Sequence, residues 1–125
     1  MAGAGVGAEQ MIEAGFIHEH EHDPKFPSIH GLVDQLDPEE RPRIASFLRE
    51  GSLTLVSGGY VDDALDPSKS DIAPRSVYSD GSFQWPAYAA YYVERYGMGL
   101  PELFLQWIRN WNYTPRPWDS GLPSF

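Results

Sequence analysis

An Asp80-Gly81 dipeptide between two short aromatic runs constrains the fold of this chain more than any other feature. A two-residue hairpin turn needs left-handed backbone at both central positions, which aspartate tolerates and glycine adopts freely. The dipeptide therefore predicts a hairpin in which Tyr78 faces Phe83 across the two strands. Strand alternation then places Tyr78, Phe83 and Trp85 on one face, and the other face is mostly polar.

A helix is predicted directly after the hairpin, and the two together form the densest aromatic region, residues 76–97. Pro86 suits the first helical position, where a missing N–H costs nothing, and Gly97 is a typical C-terminal stop. Aromatic residues recur between them at helical spacing, which predicts a buried stripe. Tyrosine and tryptophan also suit binding sites, because each joins an apolar body to a polar tip. The candidate binding residues in this region are Tyr78, Trp85 and Tyr88.

Apolar periodicity predicts further helices and one more strand. Asp37 and Glu40 have the spacing of a capping box ahead of a helix over residues 38–50. Pro101 starts an apolar helix near the C-terminus, and Ser28 caps a short one. The predicted fold class is α+β: a small antiparallel sheet of residues 52–57, 75–79 and 82–85, edged by residues 15–22 and covered on one face by about three helices.

The length of 125 residues corresponds to one domain. We expect a flexible N-terminus over residues 1–14, a single α+β domain over residues 15–113 and an extended tail over residues 114–125, in which Trp118 packs on the body. Cysteine is absent, which excludes disulfides and thiol chemistry. The sequence has neither a membrane-length apolar run nor the pattern of a targeting leader, so a cytoplasmic location is expected.

The net charge of −9 lies in the first part of the chain. Residues 1–71 hold 14 Asp and Glu against 5 Lys and Arg, whereas residues 72–125 hold 4 of each sign and 13 of the 17 aromatic residues. This distribution argues against nucleic acid, whose phosphates attract clustered Lys and Arg. It favours a basic protein partner drawn by an opposite field. A solvated acidic surface without a partner is the alternative.

Residues 16–23 read Phe-Ile-His-Glu-His-Glu-His-Asp and are named here the histidine arm. As a strand, the arm places His18, His20 and His22 on one face, about 7 Å apart. Two or three imidazoles with Asp23 or a Glu suit Zn²⁺, Ni²⁺ or Fe²⁺. The alternatives are a solvated or disordered arm without a ligand and a pH-sensitive interface.

Residues 60–74 are predicted to form a loop, since turn residues occur throughout. Loops on a rigid scaffold carry binding functions more often than cores do, so Asp62, Asp63 and Asp66 are candidate residues for contact with a partner. The same carboxylates, with Asp71, suit Ca²⁺ or Mg²⁺, but their spacing lacks the Gly and Glu of an EF-hand loop.

Four strings stand out within residues 27–113: Phe47-Leu48-Arg49-Glu50-Gly51, Asp80-Gly81-Ser82-Phe83-Gln84-Trp85-Pro86, Tyr91-Tyr92-Val93-Glu94 and Leu100-Pro101. Together they resemble a set of small actinobacterial proteins, in which a helix and a strand precede an aromatic hairpin and C-terminal helices. The layout is similar to that of some immunity proteins of bacterial toxin systems. The resemblance implies a small acidic domain that blocks a toxin, and it does not reach the histidine arm.

The sequence shows no nucleophile–histidine arrangement, nucleophile elbow or phosphate loop. The preferred function is therefore a binding or inhibitory protein of the immunity type, without a cofactor, whose acidic surface meets a basic partner. The alternative is a small enzyme of specialised metabolism with an aromatic pocket and a metal or acid–base site. A purely structural protein also stays open, as does the oligomeric state. The alternative enzyme would use Tyr78, Trp85 and Tyr88 as pocket residues and His18, His20 or His22 as catalytic or metal-binding residues.

Overall fold

A four-stranded sheet with four helices packed on it gives the chain the α+β fold that the sequence predicts. The computed structural model describes residues 11–122, so the predictions for residues 1–10 and 123–125 lie outside the described residues. No helix within the described range is long and apolar enough to cross a membrane. The elements are β1 (Ile12–Glu13), α1 (His18–Glu21), a 3₁₀ turn (Ile29–Gly31), α2 (Arg41–Arg49), β2 (Ser52–Val61), β3 (Ala73–Ser79), β4 (Phe83–Pro86), α3 (Tyr88–Tyr96) and α4 (Glu102–Asn110).

The sheet has the strand order β1-β4-β3-β2 and is mixed, because β1 runs parallel to β4 while the other neighbours are antiparallel. The prediction that residues 15–22 form the edge is wrong: the edge is Ile12–Glu13. Residues 11–14 therefore belong to the fold rather than to a flexible N-terminus. Ala14 is buried, and its N–H donates to the Gln84 carbonyl at 2.9 Å.

The aromatic hairpin forms, but its register differs from the predicted one by two residues. Tyr78 lies opposite Trp85 rather than Phe83. The Asp80 carboxylate accepts the N–H groups of Ser82 and Phe83, both at 3.0 Å, and this widens the turn. Because a shift of two residues preserves alternation, Phe83 and Trp85 still share a face with Tyr78.

Helices α2, α3 and α4 cover the sheet face that carries Trp85. The Trp85 indole is fully buried, and its ring lies 5.6 Å from Phe47 of α2 and 5.4 Å from Phe104 of α4. Its N–H donates to the Leu48 carbonyl at 2.9 Å, which satisfies the one polar atom of the ring. Aromatic residues from three elements thus build a single core, as the sequence indicates.

Helix α2 begins at Arg41, three residues later than predicted. Asp37 caps the preceding turn, since its carboxylate accepts the N–H of Glu39 at 3.0 Å. Pro42 has no N–H to donate, so the helix cannot extend through residues 38–40. Glu40 does not complete a capping box; its carboxylate binds the Arg109 guanidinium through two bonds of 2.6 and 2.8 Å.

The short helix predicted over residues 29–35 is reduced to a 3₁₀ turn. Ser28 caps it as predicted, but the chain leaves helical geometry at Asp34, where φ is +57°. The N–H of Asp34 donates to the carbonyl of Tyr96 at 2.8 Å instead of continuing a helix. A tertiary contact therefore overrides the local preference.

Strand β2 continues through Gly58 and Gly59, where the sequence predicts a break. Both glycines have positive φ, and the register shifts between Val56 and Tyr60, so this segment is a bulge within the strand. The loop between β2 and β3 consequently starts after Val61.

The C-terminal tail packs on the hairpin, in agreement with the prediction for Trp118. The Ser52 hydroxyl donates to the Trp118 carbonyl at 2.6 Å. At Gly81, where φ is +92°, an added Cβ would lie 2.5 Å from Nη2 of Arg116 and 2.6 Å from Cδ1 of Trp118. The tail therefore needs a glycine at this turn for space as well as for backbone conformation.

We predict that Gly81→Ala lowers the free energy of unfolding by about 3 kcal/mol, because it adds a clash to backbone strain. Gly58→Ala is the matched control: φ is +78° and nothing lies within 4 Å of an added Cβ. Strain alone should cost about 1 kcal/mol there. Urea unfolding of both variants measures the difference, and equal losses would contradict the packing of the tail on the hairpin.

Candidate functional site

The loop between β2 and β3 is built around Asp63, which is 2% exposed despite its charge. Residues 62–71 are named here the acidic loop. The Asp63 Oδ1 atom accepts the N–H groups of Leu65 at 2.7 Å and Asp66 at 3.1 Å. The Asp63 N–H donates to the Lys69 carbonyl at 2.9 Å, so the loop folds back on its own start.

Two tyrosines of α3 occupy the other carboxylate oxygen of Asp63. Its Oδ2 atom accepts the hydroxyls of Tyr91 at 2.7 Å and Tyr96 at 2.6 Å. Burial raises the pKa of the Asp63 carboxyl, but the hydrogen bonds from Tyr96, Tyr91 and the loop N–H groups outweigh burial and lower the pKa below its ordinary value. Each oxygen thus has two donors, and Asp63 acts as a fixed acceptor rather than as a free base.

Tyr92 connects the acidic loop to the histidine arm. Its hydroxyl accepts the N–H of Ala64 at 2.9 Å and lies 2.7 Å from Nε2 of His20. The hydroxyl donates to His20 when the ring is neutral with its proton on Nδ1, and it accepts from His20 when Nε2 carries the proton. Burial, followed by the charge of Arg75, lowers the pKa of His20 and favours the neutral ring.

Tyr88, one turn before Tyr92 in α3, also contacts the histidine arm. Its hydroxyl accepts the N–H of Ile17 at 2.9 Å and donates to Glu21 at 2.8 Å. Burial raises the pKa of Tyr88, and burial raises the pKa of Tyr92 to about 12. Both hydroxyls therefore keep their protons at neutral pH, and that of Tyr88 serves as a donor to Glu21.

The histidine arm is not the strand that the sequence predicts. It forms the four-residue helix α1, which ends where His22 takes a left-handed conformation with φ of +55°. His18 and His22 are exposed and His20 is partly buried against Tyr92, so the three imidazoles do not form one row. Among residues 11–122, no group of three or more His, Asp or Glu side chains is placed to hold one metal ion.

Of the predicted aromatic pocket residues, Tyr78 and Trp85 lie opposite each other in the hairpin, but Tyr78 and Tyr88 border different cavities. Trp85 belongs to the core, Tyr78 borders a cavity of about 240 Å³ beside α2 and α3, and Tyr88 borders a separate one of about 190 Å³. Of the predicted acidic residues, Asp62 is exposed, Asp66 is partly exposed and Asp63 is buried. Helix α3 contacts both candidate regions instead: Tyr91 and Tyr96 bind Asp63, and Tyr92 binds His20.

An exposed surface surrounds the buried carboxylate. Asp62 and Asp71 are exposed and held together, since the Asp62 carboxylate accepts the Asp71 N–H at 3.0 Å. Directly before the loop, β2 presents Leu55, Val56 and Tyr60, which are 52%, 54% and 60% exposed. Exposed apolar residues of β2 thus precede the acidic loop along the chain.

A second surface lies on the sheet face away from α2, α3 and α4, named here the open face. It carries a groove of about 590 Å³, the open-face groove, whose floor includes Val77 and Gln84. Glu13 and Glu21 line it, and Phe16 and Trp118 form parts of its walls. The groove is of the size of small-molecule sites, roughly 300–1,000 Å³.

Sequence reasoning missed the roles of Tyr91, Tyr92 and Tyr96 and those of the two groove carboxylates. The spacing of Tyr88, Tyr92 and Tyr96, four residues apart, places their hydroxyls along one side of a helix, and that signal was available. Tyr91 and Tyr96 meet Asp63 through contacts across 28 and 33 residues, which spacing alone cannot give.

Comparison of the chain with family models, with curated proteins and with solved structures finds no match.

We predict that Asp63→Asn lowers the free energy of unfolding by about 3 kcal/mol, since an amide cannot accept from all four donors. Asp62→Asn, at the exposed neighbour, should have little effect. The gap in unfolding free energy between Asp63→Asn and the native chain should shrink as pH falls below 3.8. Asp63 stabilises the fold only as a carboxylate, and it becomes protonated in the folded chain as pH falls through its lowered pKa. Chemical denaturation at several pH values measures it. An equal loss in both variants would contradict the role of Asp63.

We predict that His20 makes the fold less stable as pH falls below 6.5, the ordinary pKa of histidine. Its lowered pKa means that the unfolded chain binds the proton first, so stability rises with pH in this window. His20→Gln should flatten the dependence of unfolding free energy on pH between about 7 and 5. His18→Gln removes an exposed imidazole from the same helix and is the control. Identical profiles for the two variants would show that His20 is not the group responsible.

Proposed function

We propose that this chain is a cytoplasmic binding and inhibitory protein of the toxin-immunity type, whose acidic loop and adjoining β2 residues meet a basic protein partner. The observation that carries the proposal is the combination of exposed carboxylates with a buried one that fixes their loop. Asp62 and Asp71 lie at the surface, while Asp63 is held by four hydrogen bonds.

A fixed loop supports binding because ordering a flexible one would reduce affinity. The acidic loop is held from within by Asp63 and from α3 by Tyr91, Tyr92 and Tyr96. Its exposed carboxylates thus keep their positions without a partner, and association needs little rearrangement.

The residues next to the loop supply the apolar part that a protein interface requires. Leu55, Val56 and Tyr60 are each more than half exposed, although two are aliphatic and the third is a tyrosine. Interfaces combine such an apolar centre with a polar rim, and tyrosine is enriched at their centres. The acidic loop would form the rim on one side.

The charge of this rim selects a basic partner. Carboxylates at a rim steer an oppositely charged protein and act mainly on the association rate, so binding should weaken as salt increases. The resemblance to immunity proteins, which block toxins, agrees with this partner class. The alternative of a small enzyme has less support, because its proposed pocket residues Tyr78, Trp85 and Tyr88 occupy different surroundings.

The proposal is tested with the full chain as bait in lysate from its own cells, at low salt, beside the variant Asp62→Asn, Asp66→Asn, Asp71→Asn. Asparagine keeps the acceptor oxygens of the loop but removes three charges. We expect a polypeptide rich in Lys and Arg to be captured by the native chain and depleted with the variant. With the purified partner, the variant should bind about tenfold more weakly by calorimetry, and the native chain should suppress the partner's activity.

The matched control removes the same amount of charge elsewhere, through Glu39→Gln, Glu50→Gln and Glu102→Gln, three exposed helix-associated residues. This control should bind as the native chain does. An equal loss in both triple variants would assign binding to net charge and not to the acidic loop. Capture of no basic polypeptide would contradict the proposed function.

A further inference from the structure

The open-face groove gains its floor from the order of the strands. Gln84 of β4 is paired with Glu13 of β1 on one side and Ser79 of β3 on the other, so these residues share the open face. Alternation along β3 places Val77 there as well. The resulting floor is apolar over β3 and ends at a carboxylate on β1.

The walls of the groove are aromatic and fixed. Phe16 is mostly buried and stacks on Phe26 with 5.4 Å between ring centroids. Trp118, on the tail, is held by its carbonyl bond to Ser52 and by the space that Gly81 leaves. Aromatic faces attract cations, and indole does so best.

The charges that line the groove have one sign. Glu13 and Glu21 line it with no Lys, Arg or His among its described lining residues, and Arg75 borders the adjoining cavity that shares Glu21. Glu21 accepts one bond, from Tyr88 at 2.8 Å, and a carboxylate has capacity for more. Glu13 lies 3.7 Å from Lys25, but both side chains are largely exposed, so that ion pair is weak.

We propose that the open-face groove binds a small organic cation, a protonated amine carried on an aromatic or aliphatic body. The ammonium group would meet Glu21, with Glu13 as a weaker second carboxylate, and the apolar body would lie on Val77 between the aromatic walls. The groove volume suits such a ligand rather than a whole protein surface. This site goes beyond the proposed partner surface: no residue of the acidic loop lines it, and it shares with that surface Leu55 of β2.

The test titrates three probes of similar size and different charge into the full chain: phenethylammonium, neutral 2-phenylethanol and anionic 3-phenylpropanoate. Binding is followed by amide shifts in two-dimensional NMR and by Trp118 fluorescence, read against a Trp118→Phe variant. We expect saturable shifts at Leu55, Val77 and Gln84, with the ammonium bound at least about tenfold more tightly than either other probe.

Variants then locate the charge. Glu21→Gln keeps an acceptor for Tyr88 and should weaken phenethylammonium about tenfold, while Glu13→Gln should have a smaller effect. Glu94→Gln, outside the groove, is the control and should bind as the native chain does. The triple Asp→Asn variant of the acidic loop should also bind phenethylammonium as the native chain does. The groove proposal is therefore tested independently of the proposed partner surface.

Three results would overturn the proposal. Equal binding of all three probes would show an apolar site without charge selection. Unchanged affinity in Glu21→Gln would remove the carboxylate from recognition. Shifts centred on the acidic loop, or no saturable shift at all, would show that the open-face groove is not the site.

Discussion

The indole of Trp85 joins the sheet to the helices, and the rest of the core depends on its position. Its ring contacts Phe47 and Phe104, and its N–H donates to the last turn of α2 at Leu48. Gly51 is required by the same ring, because an added Cβ there would lie 2.5 Å from Cζ2 of Trp85. One side chain thus fixes both the end of α2 and the start of β2.

Two buried carboxylates play a comparable part for the loops. Asp63 accepts from four donors in the acidic loop and α3, and Asp80 accepts two N–H groups of the hairpin turn and the Trp107 indole at 2.6 Å. A buried charge needs such partners to be tolerated. Both aspartates therefore organise backbone that would otherwise lack an acceptor, and the composition overstates how much of the negative charge lies at the surface. The candidate surface depends on this arrangement, since its exposed carboxylates are positioned by one that no partner can reach.

Local signals predicted the parts of the fold that local chemistry determines. The helix between Pro86 and Gly97 and the α+β class follow from short-range propensity and periodicity. The register of the hairpin did not, because Asp80 uses its side chain to widen the turn. The histidine arm was assigned to the wrong element for a similar reason: alternation of His and Glu predicts a strand, but contacts of Ile17 and His20 with α3, about 70 residues away, hold a short helix.

The sequence predicts where the candidate site lies, but not which of its aspartates are buried and which are exposed. A loop rich in aspartate is visible in the sequence, yet nothing local distinguishes buried Asp63 from exposed Asp62, its neighbour. The difference arises from Tyr91 and Tyr96, whose hydroxyls reach one carboxylate and not the other. The open-face groove was not predictable at all, since it needs β1, β4 and the tail around Trp118 to meet on one side of the sheet.

The glycine bulge in β2 has a consequence for the molecule in a crowded solution. β2 is an outer strand of the sheet and exposes Leu55, Val56 and Tyr60, which are the features of a strand that recruits further strands and grows into fibres. Two successive left-handed residues, Gly58 and Gly59, interrupt the regular row of backbone donors and acceptors at its centre. The bulge therefore breaks the continuous template for polymerisation that this exposed apolar edge would otherwise offer to further copies of the chain.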